Sequence, residues 1–212
     1  MQGASSDRER SGAGANDARR EGAWGRMRGL MWTDADLAAA LRDGDDRAFS
    51  ILYDRYKRPL YAFAARMLSD PEAARDLVQD VFLKIHEKRR ELHSPGSFRS
   101  WLFAIGRNGC ISMLRRSREK TPLEQAPPEA VAADGSPESD LETEEDVRRV
   151  RWALARIQVE HREVLILREY QDLSYKEIAE VTRSTESAVK SRLFRARKAL
   201  HDELKPALAE GR

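Results

Sequence analysis

The chain has 212 residues, enough for two small domains, with 41% hydrophobic and 35% charged residues and a formal net charge of +2. No apolar run approaches a membrane span or a signal-peptide core, so a cytoplasmic protein without membrane insertion is expected. The single cysteine, Cys110, excludes an internal disulfide, and the four scattered histidines lack zinc-binding spacing, so no metal or other cofactor is expected.

Residues 1–32 are rich in Gly, Ala, Ser, Arg and acids without apolar periodicity, the composition of a flexible tail. Met27 and Met31 stand beside Met1 as alternative translation starts. Thr33-Asp34-Ala35-Asp36 offers an N-cap and an acidic first turn for a short helix ending near Asp43-Gly44. Asp45-Asp46 then starts a longer helix with the stripe Ala48, Phe49, Leu52, Tyr53, Tyr56, Leu60, Phe63, Ala64 and Met67. Pro59 lacks a backbone donor and marks a place for a kink. Tyr53, Tyr56 and Tyr61 are assigned to the core.

A third helix is expected from Asp70, with Asp70 as N-cap and Pro71 in the first helical position. Ala73, Ala74, Leu77, Val78, Val81, Phe82 and Ile85 form its buried stripe; Asp76, Gln79, Asp80 and Lys84 form a polar face. His93-Ser94-Pro95-Gly96 breaks the pattern. The helix that follows directs Trp101, Leu102, Ile105, Ile111 and Leu114 inward and presents Phe98, Arg99, Arg107, Asn108, Arg115, Arg116 and Arg118 on its other sides. Aromatic faces beside clustered cations suit unpaired bases and their phosphates. Cys110, inside this helix, reads first as a small buried hydrophobe and second as a redox sensor.

Residues 119–145 carry four prolines and many acids, with Lys120 as the one base, and are expected to form an extended, mobile linker. Beyond it, Val147, Val150, Leu154 and Ile157 set one helical stripe, and Val164, Leu165, Leu167 and Tyr170 belong to a second helix. Ser174-Tyr175-Lys176-Glu177 is a capping box opening a short helix with Ile178, Ala179 and Val181 inward. A turn at Thr182-Arg183-Ser184 leads to a longer helix in which Ala188, Val189 and Leu193 face the short one. Lys190, Ser191, Arg192, Phe194, Arg195, Arg197 and Lys198 are left largely outside. Short helix, short turn and longer basic helix make a helix-turn-helix.

Two segments carry a family resemblance. DLVQDVFLKIHEKRRELHSPGSFRSWLFAIGRNGCISMLRR resembles region 2 of the extracytoplasmic-function sigma factors of bacterial RNA polymerase, through D-x-x-Q-D/E-x-F-x-K, F-x-x-W-L-x-x-I-x-x-N and a basic end. LSYKEIAEVTRSTESAVKSRLFRARKAL resembles their region 4, except that Thr182-Arg183 stands where the family usually has Gly. The resemblance implies an all-α fold with two helical domains: region 2 over 33–118 and region 4 over 146–205, with a short tail over 206–212.

It also implies core polymerase as the partner of Asp76, Gln79, Asp80 and Lys84. The unpaired promoter −10 strand would be held by His93, Ser94, Ser97, Phe98, Arg99, Arg107, Asn108 and Arg115. The −35 duplex would be read by Glu186, Ser187, Lys190, Ser191, Arg192, Phe194, Arg195, Arg197 and Lys198. In that helix Arg and Lys reach either phosphates or guanine edges, and Phe194 suits thymine methyls. An anti-sigma factor is implied as an inhibitory partner, and the linker would run through polymerase channels. The alternative is a helix-turn-helix regulator that binds duplex DNA without polymerase. An enzyme is not expected, because the chain carries no phosphate loop, nucleophile motif or metal cluster.

Overall fold

A computed structural model describes residues 32–92, 97–120 and 144–209. No strand occurs among them; the architecture is helical throughout. Helix α1 (Asp34–Arg42) opens with a capping box between Thr33 and Asp36 and ends before Gly44, whose φ of 98° suits a residue without a β-carbon. Helix α2 (Asp46–Leu68), capped by Asp45, continues through Pro59. It buries Leu52, Tyr56, Leu60, Phe63 and Met67 on one side, and Phe63 meets Phe103 edge-on with ring centroids 5.7 Å apart. Each such side chain contributes roughly 1.5–3 kcal/mol by leaving water. Tyr56 is buried as expected, while Tyr53 and Tyr61 are partly buried against the core. The Tyr56 hydroxyl donates to Asp34, which also receives Arg55 at 2.5 Å. Burial first, and this carboxylate second, push the Tyr56 hydroxyl well above the usual phenol range.

Helix α3 (Pro71–Glu87) starts on the Asp70 cap, which accepts from the amides of Glu72 and Ala73 at 3.0 and 3.1 Å. A single turn at Arg89–Glu91 ends that arm. Helix α4 (Phe98–Lys120) crosses α2 and α3 at two bare positions. A β-carbon on Gly106 would come within 2.7 Å of Leu60 Cδ1, and one on Gly109 would overlap Leu77. Cys110 lies fully buried between them and the rest of the core, and burial pushes its thiol up to about 12. This environment matches the small-hydrophobe reading. An aromatic disulfide reagent at pH 8 is expected to leave Cys110 unmodified in the native protein and to label it once denaturant is added. Prompt labelling without denaturant would contradict the burial.

Helices α5 (Glu144–Arg156) and α6 (Val159–Leu165) follow, and α6 runs on into a π-turn at Ile166–Tyr170. The wider turn shifts the helical phase, so Val164, Leu165, Ile166 and Leu167 are all buried while Tyr170 emerges under Arg66, 4.1 Å from its ring centre. Helix α7 (Tyr175–Thr182) has the expected Ser174–Glu177 capping box, and α8 (Glu186–Ala209) follows after a three-residue turn. Arg183 closes α7 at φ 51°, the left-handed conformation for which the family's glycine is suited. Arg183→Gly removes a β-carbon penalty of about 1 kcal/mol, and thermal unfolding is expected to shift upward by about 2–4 °C. An unchanged or lower Tm would show that the arginine sits there without strain.

One hydrophobic core extends from Leu37 in α1 to Ala196 in α8. Helices α1 to α4 form one bundle, α5 to α7 pack around α8, and the two meet where α4 lies on α7 and where α2 lies on the π-turn. The buried Arg162 of α6 reaches across to the Met67 carbonyl at 2.8 Å.

Candidate functional site

Three surfaces gather the polar residues singled out by the sequence. The first is the outer face of α3. Its stripe of Ala74, Leu77, Val78, Val81, Phe82 and Ile85 is buried, which leaves Asp76, Gln79, Asp80 and Lys84 exposed on the opposite side. Leu83 stands among them with 62% of its surface exposed. It is an apolar residue out of phase with the stripe, a signal available in the sequence and not used there.

The second surface is α4. Asn108 and Arg115 are exposed, and Ser97 is half-buried at the helix entry. Phe98 does not face outward: it is fully buried, with the Tyr56 ring 5.6 Å and the Trp101 ring 6.2 Å away. Its position shares one helical face with Leu102 and Ile105, so the apolar period places it inside and leaves the half-exposed Trp101 as the aromatic nearer the surface. His93 and Ser94 lie outside the described residues. Arg99 donates to the Gln171 carbonyl and lies 3.8 Å from Glu177. Arg107 is bidentate to Glu163, at 2.7 and 3.2 Å.

The third surface is α8. Val189, Leu193 and Ala196 pack inward. Glu186, Ser187, Lys190, Ser191, Phe194, Arg195, Arg197 and Lys198 are exposed, Phe194 at 73%. Lys190 sits 5.6 Å from the Tyr175 ring centre, and Arg197 pairs with Glu169 at 2.7 Å. Arg192 departs from the outer set: it is half-buried and turns toward Glu163 at 3.5 Å.

Glu163 was not foreseen. It lies in α6 between Arg162 and the apolar run that begins at Val164 and is completely buried, with one arginine from α4 and one from α8 on its carboxylate. Burial pushes this carboxyl above the usual range, and the two guanidinium groups pull it back. No cluster of metal-ligating side chains occurs among the described residues, and no described helix is long and apolar enough to cross a membrane.

The comparisons with known proteins agree with one another. The model for Sigma-70 region 2 matches residues 52–120, and that for Sigma-70, region 4, matches residues 148–200. The ECF RNA polymerase sigma factor SigM of Mycobacterium tuberculosis is 33% identical over 166 residues, spanning 78% of this chain and 81% of its own. Among solved structures, CnrH in complex with the cytosolic domain of CnrY superposes with a TM-score of 0.63 at 26% identity, covering 82% of this chain and 97% of CnrH. The sigma factor RpoE in complex with the anti-sigma factor NepR from Bartonella quintana gives a TM-score of 0.62 at 28% identity, covering 74% and 96%.

Proposed function

Since this chain belongs to the extracytoplasmic-function sigma factors of bacterial RNA polymerase, we propose a division of its surfaces among three partners. The protein directs core polymerase to promoters and takes part in their opening; region 2 and region 4 occur together in it, which a simple duplex-binding regulator does not need. It acts by binding, with no chemistry of its own. Asp76, Gln79, Asp80 and Lys84 dock on core polymerase, and Leu83 supplies an apolar centre to that patch. The −10 strand runs over α4, where Asn108 offers a donor and an acceptor to a base edge and Arg115 follows phosphates, with Arg99 and Arg107 available once their present partners release them. The −35 duplex receives α8 in its major groove, with Phe194 and Arg195 on the exposed face.

The observation that carries this reading is the exposure of an acidic α3 face, the polar side of α4 and the basic face of α8 in one chain. An anti-sigma factor is a further partner, by analogy with the complexes of CnrH and RpoE. The test is run-off transcription with core polymerase of the same organism on promoters obtained by selection. Specific transcripts that depend on added protein are expected. Binding to selected duplexes with no transcripts would favour the regulator.

A further inference from the structure

Arg192 stands on α8 yet turns away from the surface that helix presents. It follows Val189 by three residues and precedes Ala196 by four, and both are fully buried, so its position borders the inner face. Its side chain is 26% exposed and donates to the Glu163 carboxylate of α6 at 3.5 Å. Glu163 is completely buried, and a carboxylate out of water needs guanidinium compensation. Arg107 supplies part of it from α4; Arg192 is the part that α5 to α8 provide from within. The adjacent Arg162 donates to the carbonyls of Ala155 and Ile157 at the end of α5. Consecutive residues of α6 therefore tie that helix to α5 and to α8. About 140° around α8, at 100° per residue, Arg197 meets Glu169 of the π-turn at 2.7 Å. That second pair is exposed and screened by salt, so the buried pair is the firmer constraint on the roll of α8.

We infer that Glu163 and Arg192 are positioning residues for −35 recognition: they brace α8 against α6 and fix which side chains it offers to the groove, without touching DNA themselves. A binding constellation works only while its residues are held to within about 0.5 Å and 10–20°. Loss of the brace lets α8 roll, and the base contacts along it weaken together. An arginine that reads a base behaves otherwise, because its loss relaxes one base pair; loss of a phosphate contact weakens all sequences alike. The inference rests on the assignment of α8 to the −35 duplex, and a control variant separates the two.

Holoenzyme is assembled from the full chain and core polymerase, and its competitive binding is measured on promoters that differ at single −35 base pairs. Ratios among promoters cancel any change in how much holoenzyme forms. Arg192→Gln and Glu163→Gln are each expected to lose discrimination roughly fivefold at several positions, in the same pattern, and the double variant to lose no more. Relaxation at one base pair in Arg192→Gln alone overturns the brace and makes Arg192 a reader. A uniform loss on every promoter in Arg192→Gln overturns it in favour of a phosphate contact. Arg195→Gln is the control. Wild-type discrimination in a folded Arg192→Gln protein, with discrimination lost in Arg195→Gln, overturns the brace alone. Wild-type discrimination in both overturns the assignment of α8 to the duplex and the brace with it. Should Glu163→Gln fail to fold, Glu163→Asp draws the carboxylate back from Arg192 by one methylene, and unchanged discrimination there also overturns the brace.

Discussion

Asp80→Arg is expected to abolish most of the affinity for core polymerase while the free protein stays folded. Asp80 is exposed at the middle of the α3 face that carries Asp76, Gln79 and Lys84, and it lies opposite the buried stripe. Arginine is a good helix former, so the substitution leaves α3 and its core contacts intact. In the complex the situation differs, because a reversed charge confronts the group that Asp80 would have met. Losing such a pair within a desolvated contact costs about 2–5 kcal/mol, and about 3 kcal/mol corresponds to roughly a hundredfold in Kd. Leu83→Lys tests the apolar centre of the same patch, and weaker binding is again expected. Fluorescence anisotropy of labelled protein titrated with core polymerase reads both, with far-ultraviolet circular dichroism as the folding control. A folded Asp80→Arg protein with wild-type affinity would remove α3 from the polymerase interface.

The second large effect concerns promoter opening. Extruding a base costs a few kcal/mol, which a pocket must offset through stacking and edge hydrogen bonds. Asn108 is exposed on α4, with its carbonyl 3.5 Å from Arg107 Nη1. Losing both hydrogen-bonding groups of its amide costs about 1–3 kcal/mol, or roughly 5- to 150-fold in the opening equilibrium. Asn108→Ala is therefore expected to bind polymerase and −35 duplex normally and to open promoters poorly. Permanganate reactivity of unpaired thymines measures this on a duplex promoter and on one with a pre-formed bubble. The defect should appear on the duplex and be partly relieved by the bubble. Equal opening by variant and wild type would take Asn108 out of the strand site.

Local signals in the sequence carried much of this architecture. Capping residues such as Thr33, Asp70 and Ser174 mark helix starts because they answer free amides within four residues of themselves. The outward set on α8, Arg192 excepted, was legible because Val189 and Leu193 fix its inner face. Phe98 was misjudged because the reading of α4 began its inward stripe at Trp101, whereas Phe98 stands one turn before Leu102 on the same face and packs against Tyr56. Glu163 was beyond reach for another reason. Among the neighbouring Glu160, His161 and Arg162 it reads as one more surface charge; its burial is understood only when the arginines that compensate it are known, and here they come from 56 residues upstream and 29 downstream. The closure of one helical unit on the other is a long-range pairing of this kind, with no local pattern to announce it.

The bare positions Gly106 and Gly109 give α4 a mechanical character. With no side chain at either place, the helix backbone settles into two sockets lined by Leu60 and Leu77, whose side-chain tips a β-carbon would displace. Rolling the rod about its axis would drive a neighbouring residue's β-carbon into one of these sockets. The roll of α4 is thus keyed to α2 through Leu60 and to α3 through Leu77, and turning it requires both leucines to move.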